Sequence, residues 1–120
     1  MADRHYRTIP GCPVEVTLDL IDGRWKGVVL HHLMAGQCLR FSELHRRLPG
    51  ITPRLLTKQL RDLETDGFVS RTVHAEVPPR VEYRITEEGE SLRPLIEFAE
   101  TWGRARMARV QAAHASQRVA

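Results

Sequence analysis

The 120-residue sequence contains no apolar run long enough to span a membrane, and its N-terminus lacks the apolar core of a signal peptide. We therefore predict a cytoplasmic protein that has no membrane partner. The chain has only two cysteines, Cys12 and Cys38, which are too few for a disulfide framework. In a reducing compartment we expect both to be free thiols.

The sequence also lacks the motifs of common catalytic and metal sites. It has no glycine-rich phosphate loop, no G-x-S-x-G elbow and no paired carboxylates embedded in apolar sequence. The adjacent His31 and His32 would point in different directions on a helix, with no Cys or carboxylate at ligand spacing. We predict no enzymatic activity, no metal site and no cofactor.

The composition is that of an ordinary globular domain with a small basic excess. The formal charge of +3 is compatible with nucleic-acid binding, but many proteins that do not bind nucleic acid share it. The position of the basic residues is therefore more informative than their number.

One stretch, Phe41 to Gly67, has the pattern of two short helices joined by a tight turn. Thr52 and Pro53 suit the N-cap and the first position of the second helix. Its buried face is predicted to consist of leucines at i, i+4 and i+7, namely Leu56, Leu60 and Leu63. At 100° per residue, the opposite face carries Arg54, Lys58 and Arg61, with Thr57 at their flank, and we expect these four residues to contact DNA.

After Gly67 the hydrophobic period changes from 3.6 to 2, which predicts a two-stranded hairpin with Pro78-Pro79 at its tip. Arg80 follows these prolines and could reach phosphates or a minor groove. Arg40 and Ser42, at the start of the preceding short helix, are further candidates for phosphate contact. The alternative is that the prolines only turn the chain and the basic side chains only face solvent.

Three further helices are predicted: one over CPVEVTLDLIDG, one over RWKGVVLHHLMAG, whose broad apolar face implies deep burial, and one opened by Thr86. The last helix carries an apolar stripe after the core helices are complete, and a partner subunit is the simplest explanation for it. We predict a dimer interface formed by Val14, Leu18, Leu92, Leu95, Ile96, Ala99 and Trp102. Residues 1–11 are predicted to be a flexible arm, residues 12–107 the domain, and residues 108–120 a frayed tail.

The predicted order is helix, helix, helix, turn, helix, hairpin, helix. This order is typical of a winged helix-turn-helix, a mainly α fold with a small β-hairpin wing, here with an added dimerisation helix at each end.

Three motifs carry a resemblance to a known family: CPVEVTLDLIDGRWKGVVLHHL, RFSELHRRLPGITPRLLTKQLRDLETDGFVSRT and VPPRVEYRITEEGESLRPLI. Together they span Cys12 to about Trp102, and the chain resembles the HxlR family of MarR-like bacterial transcriptional regulators. The resemblance implies a homodimer that binds double-stranded DNA at short palindromic operators, with the terminal helices forming the dimer. The chain departs from the family pattern after GRWK, where Gly27-Val28-Val29 replaces bulkier residues, and at Cys38.

Cys12 precedes Pro13 at the start of the first helix, where the helix dipole would lower the pKa of a thiol. The resemblance implies a possible switch, because some relatives use this cysteine to sense oxidants or electrophiles. The alternatives are a small packed residue, a bond to the same cysteine of a second subunit, or a bond to Cys38.

We predict a sequence-specific transcriptional regulator, either repressor or activator, that is switched by thiol oxidation, an electrophile or a small effector. The alternative is a winged-helix protein-interaction module that does not bind DNA. That module should carry acidic or apolar residues on the outer face of its fourth helix.

Overall fold

The computed structural model describes residues 11–119, which form six helices and three strands. In chain order these are α1 (Pro13–Leu20), α2 (Lys26–Gly36), β1 (Cys38–Arg40), α3 (Phe41–Arg46), α4 (Pro53–Thr65), β2 (Val69–His74), β3 (Arg80–Ile85), α5 (Glu87–Glu90) and α6 (Arg93–Val119). The fold is the predicted winged helix-turn-helix. The expected N-terminal arm lies outside the described residues except for Gly11. No helix within residues 11–119 is long and apolar enough to cross a membrane.

The strands form one antiparallel sheet in the order β1-β3-β2. Strands β2 and β3 make the predicted hairpin, in register from Val69 opposite Ile85 to His74 opposite Arg80. The third strand, β1, pairs with β3 and was not predicted, since three residues are too few to show an alternating pattern. Because β1 runs directly into α3, the wing is hydrogen-bonded to the chain that enters the helix-turn-helix.

The core is built around α2, which packs against α3, α4 and α6. Its Val29, Leu30 and Leu33 are fully buried, as the broad apolar face of the sequence indicates. The three predicted leucines of α4 are also buried, at 0–1% exposure. Each such side chain contributes about 1.5–3 kcal/mol of transfer free energy. These contacts determine which face of α4 is turned towards solvent.

The ends of α4 have the predicted local structure. The Thr52 hydroxyl accepts a hydrogen bond from the Leu55 N–H at 3.1 Å, and Pro53 occupies the first turn. After the helix ends, Gly67 adopts a φ of 85°, a backbone conformation in which a residue with a side chain would be strained. The chain then turns into β2. The helix-turn-helix prediction is therefore confirmed down to its capping residues.

The last helix differs from the prediction because it is divided into α5 and α6. Pro94 lacks an N–H and its ring would clash with the preceding turn, so a helix starting at Glu87 cannot continue through it. The Thr86 hydroxyl accepts from the Gly89 N–H at 3.0 Å and donates to the Gly67 carbonyl at 2.6 Å. This pair of hydrogen bonds attaches α5 to the end of α4.

Helix α6 also continues to Val119, where the sequence suggested a frayed tail from residue 108. Alanine, arginine and glutamine favour helix, so the polar composition there does not end it. Every side chain from Arg104 to Arg118 is exposed, which means that this extension packs on nothing else in the described chain.

One predicted interface residue, Ile96, belongs instead to the chain's own core. Its side chain is only 7% exposed, and it lies over Gly27 of α2. Leu92 is also partly buried against this core. The correction has a simple cause, since the stripe on α6 is wider than one face and its inner edge packs on α2.

Gly89 offers a test of this packing. A β-carbon there would press on the Phe68 carbonyl oxygen and lie 2.7 Å from Ile85 Cδ1. We expect Gly89→Ala to lower the free energy of unfolding by about 1–3 kcal/mol, measured by urea denaturation at one protein concentration. In the matched control, Gly27→Ala, the new β-carbon meets only Ile96 Cδ1 at 4.0 Å. That variant should keep or gain stability, by up to about 1 kcal/mol. Equal losses in both would contradict the close approach at Gly89.

Candidate nucleic-acid interface

The outer face of α4 presents the four side chains predicted to contact DNA. Arg54, Lys58 and Arg61 are exposed, and the Lys58 side chain is 63% exposed. Thr57 is half-buried, and its hydroxyl donates to the Pro53 carbonyl at 2.9 Å, so the oxygen keeps its capacity to accept. All four line one open groove of about 730 Å³ along the helix.

The charges on this face are not neutralised evenly. The Lys58 ammonium lies 3.1 Å from Asp62 Oδ2 on the same helix. Within residues 11–119, no carboxylate forms an ion pair with Arg54 or Arg61. The face therefore offers two unpaired guanidinium groups, together with an ammonium whose position is restrained by a carboxylate.

The other three candidates for phosphate contact lie together at a second place. Arg40, Ser42 and Arg80 all line a cleft of about 480 Å³ between the start of α3 and the tip of the wing. Arg40 and Ser42 are exposed. The Arg40 N–H is occupied, because it donates to Glu43 Oε1 at 2.8 Å. The pairing of β1 with β3 is what brings the wing to this position.

Arg80 does not extend from the wing as the sequence suggested. Its side chain is 30% exposed, and its guanidinium lies 3.4 Å from Glu76 Oε1 and 3.8 Å from Glu82 Oε2. Glu82 also contacts His74 Nε2 at 2.7 Å, and this hydrogen bond is the main reason that the pKa of Glu82 is lowered. To reach a phosphate, Arg80 would have to exchange these carboxylates for it.

Cys12 is exposed at the N-cap of α1. The pKa of its thiol is lowered, first by the backbone N–H of Glu15 and then by that of Val14, although no side-chain capping hydrogen bond forms. Cys38 lies half-buried in β1, and both cysteines are free thiols. The Cys12 thiol is thus accessible, and its lowered pKa increases the fraction present as thiolate.

Apolar side chains are exposed on α1 and along α6. Val14 and Leu18 on α1 are 64% and 58% exposed, and Trp102 on α6 is 56% exposed. The predicted Leu95 and Ala99 are exposed as well. Phe98 and Met107, which are 67% and 63% exposed, were not predicted from the sequence. Phe98 continues the spacing of Leu95 and Trp102 and could have been identified from it.

Two buried charges were also not predicted from the sequence. Lys26 on α2 and Asp62 on α4 are 4% and 3% exposed. For Asp62, a charge that follows Arg61 on an amphipathic helix gives no signal of burial. Only its i+4 spacing from Lys58 could have suggested that it has a partner. Among residues 11–119, no three His, Cys, Asp or Glu side chains are placed to hold a metal ion.

Residues 20–111 match a family model described as HxlR-like helix-turn-helix. The uncharacterized HTH-type transcriptional regulator YdeP of Bacillus subtilis (strain 168) is 53% identical over 93 residues, which are 78% of this chain and 72% of YdeP.

Solved structures agree with this match. The redox regulator HypR in its reduced form has a TM-score of 0.77 at 46% identity, over 83% of this chain and 98% of that one. The reduced form of the transcriptional regulator YodB from B. subtilis has a TM-score of 0.66 at 34% identity, over 78% and 91%. YdeP is thus an HTH-type transcriptional regulator by name, and HypR and YodB are regulators whose structures are similar to this one.

Proposed function

This chain belongs to the HxlR-like helix-turn-helix family and is a transcriptional regulator rather than an enzyme, and on that premise we propose that it binds a palindromic operator as a homodimer. The observation that carries the proposal is the outer face of α4, where Arg54 and Arg61 are exposed beside Lys58. This face also argues against a protein-interaction module, which should carry acidic or apolar residues there.

Helix α4 suits the major groove in size and in chemistry. An α-helix about 10–12 Å across fits a groove about 12 Å wide. Arginine can donate two hydrogen bonds to guanine O6 and N7, whereas lysine and threonine suit phosphates and single base edges. Arg54 and Arg61 are therefore the candidates for reading bases, and Lys58 and Thr57 those for positioning the helix.

The cleft between α3 and the wing supplies a second contact with the DNA backbone. Arg40 and Ser42 line this cleft from the start of α3 and Arg80 lines it from the wing, so a phosphate bound in the cleft would lie beside all three. When a phosphate replaces Glu76 and Glu82 beside the guanidinium of Arg80, these carboxylates become part of the energetic cost of binding. Because of this cost, we expect the exchange to occur mainly on DNA that contacts the outer face of α4 and the cleft at the same time.

The exposed apolar side chains of α1 and α6 support a homodimer. A second copy would cover Leu18, Phe98 and Trp102, whose exposure costs hydrophobic free energy in a monomer. The dimer would set the distance between two α4 helices, which must match successive major grooves about 34 Å apart. We propose that the exposed extension of α6, residues 108–118, belongs to the same dimeric unit as the domain of residues 12–107.

Cys12 provides a site for control by an electrophile, which the similarity to a redox regulator supports. A quinone would accept the Cys12 thiolate at a ring carbon, forming a carbon–sulfur bond. The two carbonyl oxygens would each take up one proton, one released by the thiol and one from that ring carbon, so the ring would become a hydroquinone thioether. The bulk added at the start of α1 would displace a helix that we place in the dimer interface and so alter the spacing of the two α4 helices.

We expect Arg54→Ala and Arg61→Ala each to weaken binding by about fivefold or more, for an operator duplex selected by the wild-type protein from random sequences. A lost phosphate contact would also reduce the magnitude of the slope of log K against log salt by about 1. Arg118→Ala, which removes an exposed arginine at the end of α6, is the matched control. If both α4 variants keep wild-type affinity and salt slope, α4 is not the recognition helix.

The dimer can be tested with matched charge insertions. Leu18 and Val73 are 58% and 54% exposed, but only Leu18 lies on a helix assigned to the interface. We expect Leu18→Lys to shift the protein towards monomer in sedimentation velocity, because a lysine would be desolvated between the subunits. Val73→Lys should leave the dimer intact. A wild-type monomer, or equal dissociation in both variants, would contradict the assigned interface.

The thiol switch predicts a response confined to Cys12. We expect benzoquinone to weaken operator binding by the wild type by about tenfold, a typical size for coupling between two sites. Cys12→Ser should bind normally and not respond, whereas Cys38→Ser should respond like the wild type. An identical response in wild type and Cys12→Ser would remove Cys12 from the mechanism.

A further inference from the structure

Four side chains of alternating charge run from the turn after α1, through the interior, to the outer face of α4. Lys26 Nζ lies 3.1 Å from Asp22 Oδ1 and 3.4 Å from Asp62 Oδ2. The same Asp62 oxygen lies 3.1 Å from Lys58 Nζ. We refer to Asp22, Lys26, Asp62 and Lys58 as the charge chain. Its formal charges sum to zero.

The charge chain connects three segments of the fold. Asp22 lies in the turn that follows α1, and Lys26 is the first residue of α2. Asp62 and Lys58 are one turn apart on α4. The two middle side chains, Lys26 and Asp62, are almost completely buried, whereas Lys58 is mostly exposed among the residues that we place against DNA.

Burial of the middle pair makes the position of Lys58 costly to change. The Asp62 carboxylate has almost no access to water, so ammonium groups replace part of the hydration that it lost. If the Lys58 ammonium moved away, Asp62 would lose one of the two ammonium groups at its Oδ2 atom. A lysine side chain is normally flexible in solution. Here its ammonium is directed to one place on the surface of α4.

We propose that Asp62 is a positioning residue for DNA binding, which holds the Lys58 ammonium at a fixed place on the outer face of α4. Lys26 and Asp22 connect that place to the end of α1. The proposal rests on the proposed function, since it assigns a role within the α4 interface. In it, Lys58 approaches a phosphate already ordered, so less conformational freedom is lost on binding.

A simpler role for Asp62 would be only to neutralise the buried Lys26. The two roles predict opposite signs for the effect on DNA binding. A carboxylate close to the outer face of α4 repels phosphates, so its neutralisation should strengthen binding if Asp62 has no positioning role. If Asp62 positions Lys58, neutralisation should weaken binding instead.

The experiment is a double-mutant cycle on an operator duplex selected by the wild-type protein from random sequences. We expect Asp62→Asn to weaken binding by about tenfold when Lys58 is present. In the Lys58→Ala background, the same substitution should change the affinity by less than about twofold. A purely structural defect would weaken binding equally in both backgrounds. Glu64→Gln, an exposed neutralisation on the same helix, is the matched control and should bind equally well or more tightly.

Folding must be separated from positioning, because Asp62→Asn leaves Lys26 with less negative charge beside it. Thermal unfolding followed by circular dichroism will show whether each variant is folded at the binding temperature. If Asp62→Asn alone does not fold, Lys26→Met combined with Asp62→Asn removes both buried charges together. This double variant is then expected to bind DNA less tightly than the wild type when Lys58 is present, and equally tightly when both proteins carry Lys58→Ala.

The proposal is overturned if the Asp62→Asn protein binds DNA as tightly as the wild type or more tightly. It is also overturned if the loss is the same with and without Lys58. A wild-type protein that selects no sequence from the pool would instead refute the proposed operator binding, and the positioning role would fall with it. Failure of operator binding is distinguishable from failure of the positioning role, because it appears with the wild-type protein before any variant is measured.

Discussion

The structure depends on the packing of one side of α4 against the core around α2. Leu56, Leu60 and Leu63 lose almost all contact with water there. Because these leucines lie on a single helical face, their burial leaves α4 with only one rotation about its axis. The exposed side must then consist of the residues opposite them, which are basic. The core thus orients the surface that we assign to DNA, without any contact among the basic residues themselves.

The same helix also contains a constraint that opposes simple packing. Asp62 lies beside Leu63 on the inner side of α4, and its burial would be unfavourable without the charges of Lys26 and Lys58. A leucine at this position would need no charged partner. The carboxylate instead specifies which residue of α2 lies opposite α4 and where a surface lysine points. The ion pairs therefore contribute more to geometry than to net stability.

The parts of the fold that follow from local patterns were predictable, and the parts that follow from tertiary contact were not. The period of three leucines and the cap at Thr52 identify α4, because both act within one turn of helix. Strand β1 exists only because β3 lies beside it. Ile96 resembles its exposed neighbours until α2 covers it. At the candidate site, the sequence identified the basic face of α4 but not the carboxylates beside Arg80, which come from both sides of the wing tip.

The relation between α1 and α4 follows from these two constraints together. Helix α1 has no buried residue of its own, although Leu20 at its end packs partly buried against the core, so its position would also depend on the subunit partner that we propose. The turn that follows α1 contains Asp22, whose carboxylate contacts the buried ammonium of Lys26. A group added at Cys12 would act on this helix, which leads into the charge chain. On our two proposals, movement of α1 would therefore change DNA binding in two ways: through the spacing of the two α4 helices in a dimer, and through the position of Lys58 on each α4.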